Sequence, residues 1–158
     1  MIWVNTPVVI EGYDGQDPFG PDVLDARGFL KTGDMGYLDA DGFLYITDRE
    51  KDMIVSGGVN IYPPEIEAAL CRFPTVVEAA VIGIPHDDFG EQVMAFVQLK
   101  PGSDTSVDDI SEFLVEQLAS YKRPRRIEIV GELPHGVSGK ILKRELREPF
   151  WKGRTRKV

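Results

Sequence analysis

The spacing of apolar positions changes several times along this chain, and each change marks an element. Met53 to Val55 form a short apolar run suited to a strand, broken by Gly57-Gly58. Pro64 suits a first helical turn. Ile66, Ala69, Leu70 and Phe73 then recur at helical spacing until Pro74 ends the pattern. Residues 76–85 (VVEAAVIGIP) and 91–102 (EQVMAFVQLKPG) predict two strands. Ser106 and Asp109 stand at capping-box spacing ahead of Ile110, Phe113, Leu114, Gln117 and Leu118, which form one amphipathic helix face. RRIEIVGELP predicts another strand. KILKRELREPFW predicts a short helix with Ile141, Leu142 and Leu146 as its apolar stripe. The order β-α-β-β-α-β-α predicts a compact α+β unit, a small sheet flanked by helices.

The first part of the chain is patterned differently. Residues 1–31 are rich in turn formers, most densely in EGYDGQDPFGPD, and read as loop. Tyr37-Leu38 and Phe43 to Ile46 are short β-prone runs joined by Asp39-Ala40-Asp41-Gly42, a hairpin signal. No internal repeat and no low-complexity segment is evident.

Composition narrows the function classes. No run of eighteen apolar residues is present, which predicts no transmembrane segment, and the start lacks the pattern of a signal peptide. The single Cys71 cannot form an internal disulfide, which favours a reducing compartment and a cytoplasmic location. One cysteine and two histidines, His86 and His135, argue against a protein-built metal site. The net charge of -8 is uneven. Residues 140–158 carry eight basic and two acidic side chains, so this tail is +6 and the other 139 residues are -14. An acidic body argues against nucleic-acid binding. The tail is either a solvated helix with a frayed end or an attractor for phosphates.

Four constellations could carry chemistry. In KTGDMGYL, Asp34 either caps a turn or binds vicinal ribose hydroxyls, the task acids perform in dinucleotide folds. In TDREKDMI, the mixed charges form either a solvated turn or a linker whose backbone can rotate, with Arg49 reaching a nucleotide. In SGGVNIYPPEIE, Gly57-Gly58 form either a tight turn or a surface that a ligand can approach closely. LPHGVSGKI resembles a phosphate loop, but Pro134 replaces the first glycine and Ile141 the hydroxyl after the lysine, so that reading fails. Lys140 is then either a surface lysine or a charge delivered to a phosphate in a transition state.

Taken together, the run from GFLKTGDMGYLDADGFLYITDREKDMIVSGGVNIYPPEIEAAL through VVEAAVIGIPHDDFGEQVMAFVQLKPG to YKRPRRIEIVGELPHGVSGKILKREL resembles the C-terminal region of the acyl-adenylate-forming enzymes. It looks nearest to the acyl-CoA ligase branch. The resemblance implies a two-step reaction. A carboxylate attacks the α-phosphate of ATP to give acyl-AMP and pyrophosphate, and a thiol, usually of CoA, then displaces AMP. A small C-terminal domain rotates between the steps. Asp34 resembles the ribose ligand, Arg49 its partner, and Lys51 the hinge residue. Gly57-Gly58 are similar to the face lining the CoA tunnel, and Lys140 matches the adenylating lysine. His135-Gly136-Val137 depart from the family, which often has a basic residue, then Thr or Asn.

The same resemblance implies that residues 1–48 are the last strands of a large N-terminal body, 49–51 a hinge, and 52–158 a mobile C-terminal domain. That body holds the phosphate loop and the acyl pocket, so the acid stays unnamed. The expected partners are the body, a carboxylic acid and CoA or a carrier arm. ATP and magnesium are expected to bind with the body, and no cofactor is expected to be held tightly by this piece. The chain is expected to be an excised piece, inactive alone. One half of a naturally split enzyme, or a non-catalytic interaction or regulatory module, is the alternative.

Overall fold

The computed structural model describes residues 1–154, so Arg156 and Lys157 of the basic tail lie outside the described residues. The chain divides into two compact units, one spanning Met1–Lys51 and the other beginning at Asp52.

In the first unit, β1 (Trp3–Val4) pairs antiparallel with β2 (Leu30–Lys31), and β3 (Asp34–Leu38) with β4 (Leu44–Arg49). The β3–β4 turn is the expected Asp39-to-Gly42 stretch. Asp39 Oδ1 accepts from the amides of Asp41 and Phe43, and Gly42 takes the positive φ of 85° that the turn requires. The amide of Phe43 is the main cause holding the Asp39 carboxyl below its ordinary range. Tyr37 and Tyr45 stack across the pair at 5.2 Å. No residue of this unit is fully buried.

The second unit carries the core. β5 (Ile54–Ser56), β6 (Val59–Ile61), β7 (Val76–His86), β8 (Gly90–Leu99) and β9 (Arg126–Val130) form one sheet. β7 and β8 form a long antiparallel pair from Val76↔Leu99 to His86↔Gly90. The other edge of β8 is shared. β5 meets it antiparallel at Ser56↔Gly90, and β9 lies parallel to Met94–Gln98.

Three helices cover the sheet: α1 (Pro63–Leu70), α2 (Val107–Gln117) and α3 (Lys143–Trp151). Alternation along the strands sorts the core. Val81, Val93, Ala95 and Val97 pack with Ile66, Leu70, Ile110 and Leu114 of α1 and α2. Ala80, Ile82, Ile84, Met94 and Phe96 pack with Leu133, Ile141, Leu146 and Phe150 on the α3 side. Both faces of β7 and β8 are buried, which explains why they read as near-continuous apolar runs.

Three details differ from the sequence expectation. Gly57-Gly58 do more than break a strand: with φ of 57° and 80° they turn β5 back into β6. α1 ends at Leu70, and Phe73 reaches the same core from the following turn, edge-on to Phe113 at 5.2 Å. The last helix begins at Lys143 rather than Lys140. Ile141 pairs with His135, and the Leu142 amide donates to the Pro134 carbonyl at 2.7 Å, which draws these residues out of a helix.

Candidate functional site

The predicted residues occupy three places, one in the first unit and two in the second. In the first unit, Asp34 opens β3 and Arg49 closes β4, and the strand register sets them opposite each other. Arg49 Nε donates to Asp34 Oδ1 at 3.2 Å. Asp34 is anchored from behind, its amide donating to Thr32 Oγ1 at 3.0 Å while that hydroxyl donates to the Ile2 carbonyl. The Glu50 amide donates to the Gly33 carbonyl at 2.8 Å, and Lys31 pairs with the Glu50 carboxylate at 2.8 Å. A cavity of about 140 Å³ opens here, lined by Thr32, Gly33, Arg49, Glu50 and Lys51. A carboxylate braced by a guanidinium beside such a recess can accept from two adjacent hydroxyls. Lys51 lies in the single helical turn Glu50–Asp52.

The second place is the Gly57-Gly58 turn. The Gly57 amide donates to the Phe89 carbonyl at 2.9 Å, so this turn leans on the one joining β7 to β8. A side chain at 57 would press on the Phe89 ring. The Arg125 guanidinium lies over that ring, 4.8 Å from its centroid. Gly58 has open space beside it, leaving its backbone approachable.

The third place is the loop from Pro134 to Leu142. It is closed by backbone bonds: Gly136 N–H to the Lys140 carbonyl at 2.9 Å, Gly139 N–H to Gly136 at 2.9 Å, and Leu142 N–H to Pro134. Gly139 has φ 75°, the left-handed conformation that returns the chain. Lys140 stands exposed on this loop, and among the described residues it has no ion-pair partner. Its neighbours on α3 are tied down. Lys143 pairs with Glu67 at 2.7 Å and Arg147 with Asp52 at 2.8 Å. The charge at 140 is left available, and those at 143 and 147 are structural.

Several participants escaped the sequence reading. Asp34 and Arg49 stand in two separate motifs, and counting outward from the Asp39–Gly42 turn sets Asp34 against Asp48; the register shift between Met35 and Gly36 is what brings Arg49 opposite it. Glu67, Asp52 and Glu78 have no local signal, because their partners are distant in sequence. Among the described residues no group of three His, Cys, Asp or Glu could hold a metal ion, and no helix is long and apolar enough to cross a membrane.

Residues 65–140 match the model of the AMP-binding enzyme C-terminal domain. The chain is 50% identical over 131 residues to a fatty acid–[acyl-carrier-protein] ligase of Streptomyces coeruleorubidus, covering 83% of this chain and 25% of the relative. It is 42% identical over 146 residues to a 2-succinylbenzoate–CoA ligase of Lactococcus lactis, covering 92% of this chain and 30% of the relative. The o-succinylbenzoate CoA synthetase of Bacillus subtilis, solved in complex with ATP and magnesium ion, superimposes with a TM-score of 0.79 at 38% identity. That match covers 91% of this chain and 29% of the other. The chain thus spans less than a third of the length of these relatives.

Proposed function

The chain belongs to the C-terminal domain family of the AMP-binding, adenylate-forming enzymes, and from that premise we propose that it is the mobile part of an ATP-dependent carboxylate–thiol ligase. The observation that carries the proposal is the contrast at the loop: Lys140 is exposed and unpaired among the described residues while Lys143 and Arg147 are held by carboxylates. The Lys140 ammonium is delivered to the carboxylate and α-phosphate oxygens as charge builds up between them, and acyl-AMP forms as pyrophosphate leaves. Asp34, braced by Arg49, holds the ribose hydroxyls. Lys51 is the hinge, about which residues from 52 onward turn between the two steps. The Gly57-Gly58 turn then faces the incoming thiol. The donor set fits this division of labour. It offers a carboxylate for a ribose and an exposed cation for a phosphate, and among the described residues no group of three His, Cys, Asp or Glu could hold a metal ion, so magnesium would be bound with the ATP phosphates by the large body.

The relatives include both a carrier-protein ligase and CoA ligases, so the thiol class belongs to the whole enzyme. The chain by itself is expected to lack ligase activity, since the one stretch like a phosphate loop has Pro134 and Ile141 where that loop needs a glycine and a hydroxyl. The test joins this chain to a matching adenylation body and runs the half-reactions separately. Lys140→Ala should slow acyl-AMP formation by about a hundred-fold or more. Thioester formation from supplied acyl-AMP should be largely preserved. Equal losses in both halves would show uniform binding or a folding defect, and the two-orientation account would fall.

A further inference from the structure

His135 is held at both ring nitrogens by groups that only accept. Its Nδ1 lies 2.7 Å from the Leu133 carbonyl oxygen, and its Nε2 lies 3.0 Å from Glu78 Oε2 on β7. A neutral imidazole has one donor nitrogen and one acceptor nitrogen, so it can satisfy only one of these contacts; the imidazolium satisfies both. His135 also pairs through its backbone with Ile141, directly across the loop from Gly136 and Lys140. The side chain therefore ties the base of the Lys140 loop to β7, a core strand at the edge of the sheet, 57 residues away in sequence.

We propose that His135 is a positioning residue, an imidazolium clamp to Glu78 that holds the closed loop presenting Lys140. The consequence for catalysis rests on the reading of Lys140 given above; the clamp itself does not. The surroundings favour the charged ring. The Glu78 hydrogen bond raises the His135 pKa most, opposed by partial burial and helped by the Leu133 carbonyl and the nearby Glu132. The flanking groups are of the same sign. Glu78 faces the ring from β7, and Glu132 lies on its own segment. The ring is a third exposed, so water weakens the pair without abolishing its direction. Because the folded value is raised above 6.5, the clamp is fully present below pH 6.5 and is lost as pH rises through the folded value.

The test uses the whole 158-residue chain. Nitrogen NMR should show His135 doubly protonated above pH 6.5, with a midpoint that falls in Glu78→Gln. Amide exchange at Gly136 and Leu142, corrected for the chemical rate, should speed up several-fold as pH passes that midpoint. Glu78→Gln should already be fast below it. His135→Arg keeps a fixed charge and should stay protected with no pH step. In the joined enzyme, acyl-AMP formation should show an alkaline decline that His135→Arg removes. A His135 midpoint at or below that of free histidine, or loop exchange indifferent to it, overturns the clamp. If Lys140→Ala leaves adenylation intact while the exchange results hold, the role of Lys140 fails and the clamp stands.

Discussion

A single methyl group measures how tightly β7 packs against β8 and β5. The Trp151 Nε1–H donates to the Gly83 carbonyl at 3.0 Å. A Cβ at position 83 would overlap the buried Glu91 carboxylate and crowd Ile54. The backbone there is ordinary, so the need for glycine is one of space. Gly83→Ala should destabilise the chain by about 1–3 kcal/mol, the usual cost of overpacking, and denaturant unfolding should show it as a lower midpoint at unchanged slope. Nothing local in VIGIP announces this requirement. The crowding comes from Glu91 on β8 and Ile54 on β5, neither of them a near neighbour in sequence, whereas Lys140 and Asp34 could be singled out because glycines flank them in sequence. Glu67 shows the same limit. It accepts from the Val81 amide at 2.7 Å and pairs with Lys143, so one carboxylate serves three elements whose meeting only the fold brings about.

At the scale of elements, capping signals transferred well from sequence to structure. The Ser106 hydroxyl accepts from the Asp109 amide at 3.1 Å, and the Asp109 carboxylate accepts from the Ser106 amide at 2.8 Å and from its hydroxyl at 2.6 Å. These bonds, the hydroxyl first, hold the Asp109 pKa below its ordinary 3.8. Ser106→Ala should cost about 1 kcal/mol of stability near neutral pH. A depressed carboxyl contributes stability above its unfolded value and loses it as pH falls through the folded one. The difference between wild type and variant should therefore shrink in acid below pH 3.8, as thermal unfolding at several pH values would reveal. The elements that were missed lacked such a signal. β6 has three residues, and only pairing with β5 makes Val59–Ile61 a strand. The sequence predicts the start of α3 three residues early, because Ile141 and Leu142 fit an apolar helical stripe as well as they fit the bridge to His135 and the bond to Pro134 that they actually enter.

For the whole molecule, burial is lopsided. Among the described residues every fully buried side chain lies in the second unit, between Ile54 and Leu133. The first unit shows Tyr37, Leu38, Phe43, Leu44, Tyr45 and Ile46 to solvent on a two-stranded ribbon, an arrangement of marginal stability alone. Removing residues 1–51 should leave cooperative unfolding of the remainder nearly unchanged, measured by circular dichroism against urea. Loss of the cooperative transition would mean that the core depends on the first unit. The division of labour at β8 carries a further consequence. One edge of that strand is filled by β7, which comes just before it in the hairpin, but the stretch Met94–Gln98 waits for β9. During synthesis at roughly 5–20 residues per second, the segment from Leu99 to Val130 takes on the order of seconds to emerge. Throughout that interval the newborn chain displays an unpaired edge flanked by apolar faces that α2 and α3 have yet to cover, a surface prone to joining the wrong neighbour. The order in which the ribosome delivers this domain is thus a hazard written into its topology, and it passes only when residue 130 has been made.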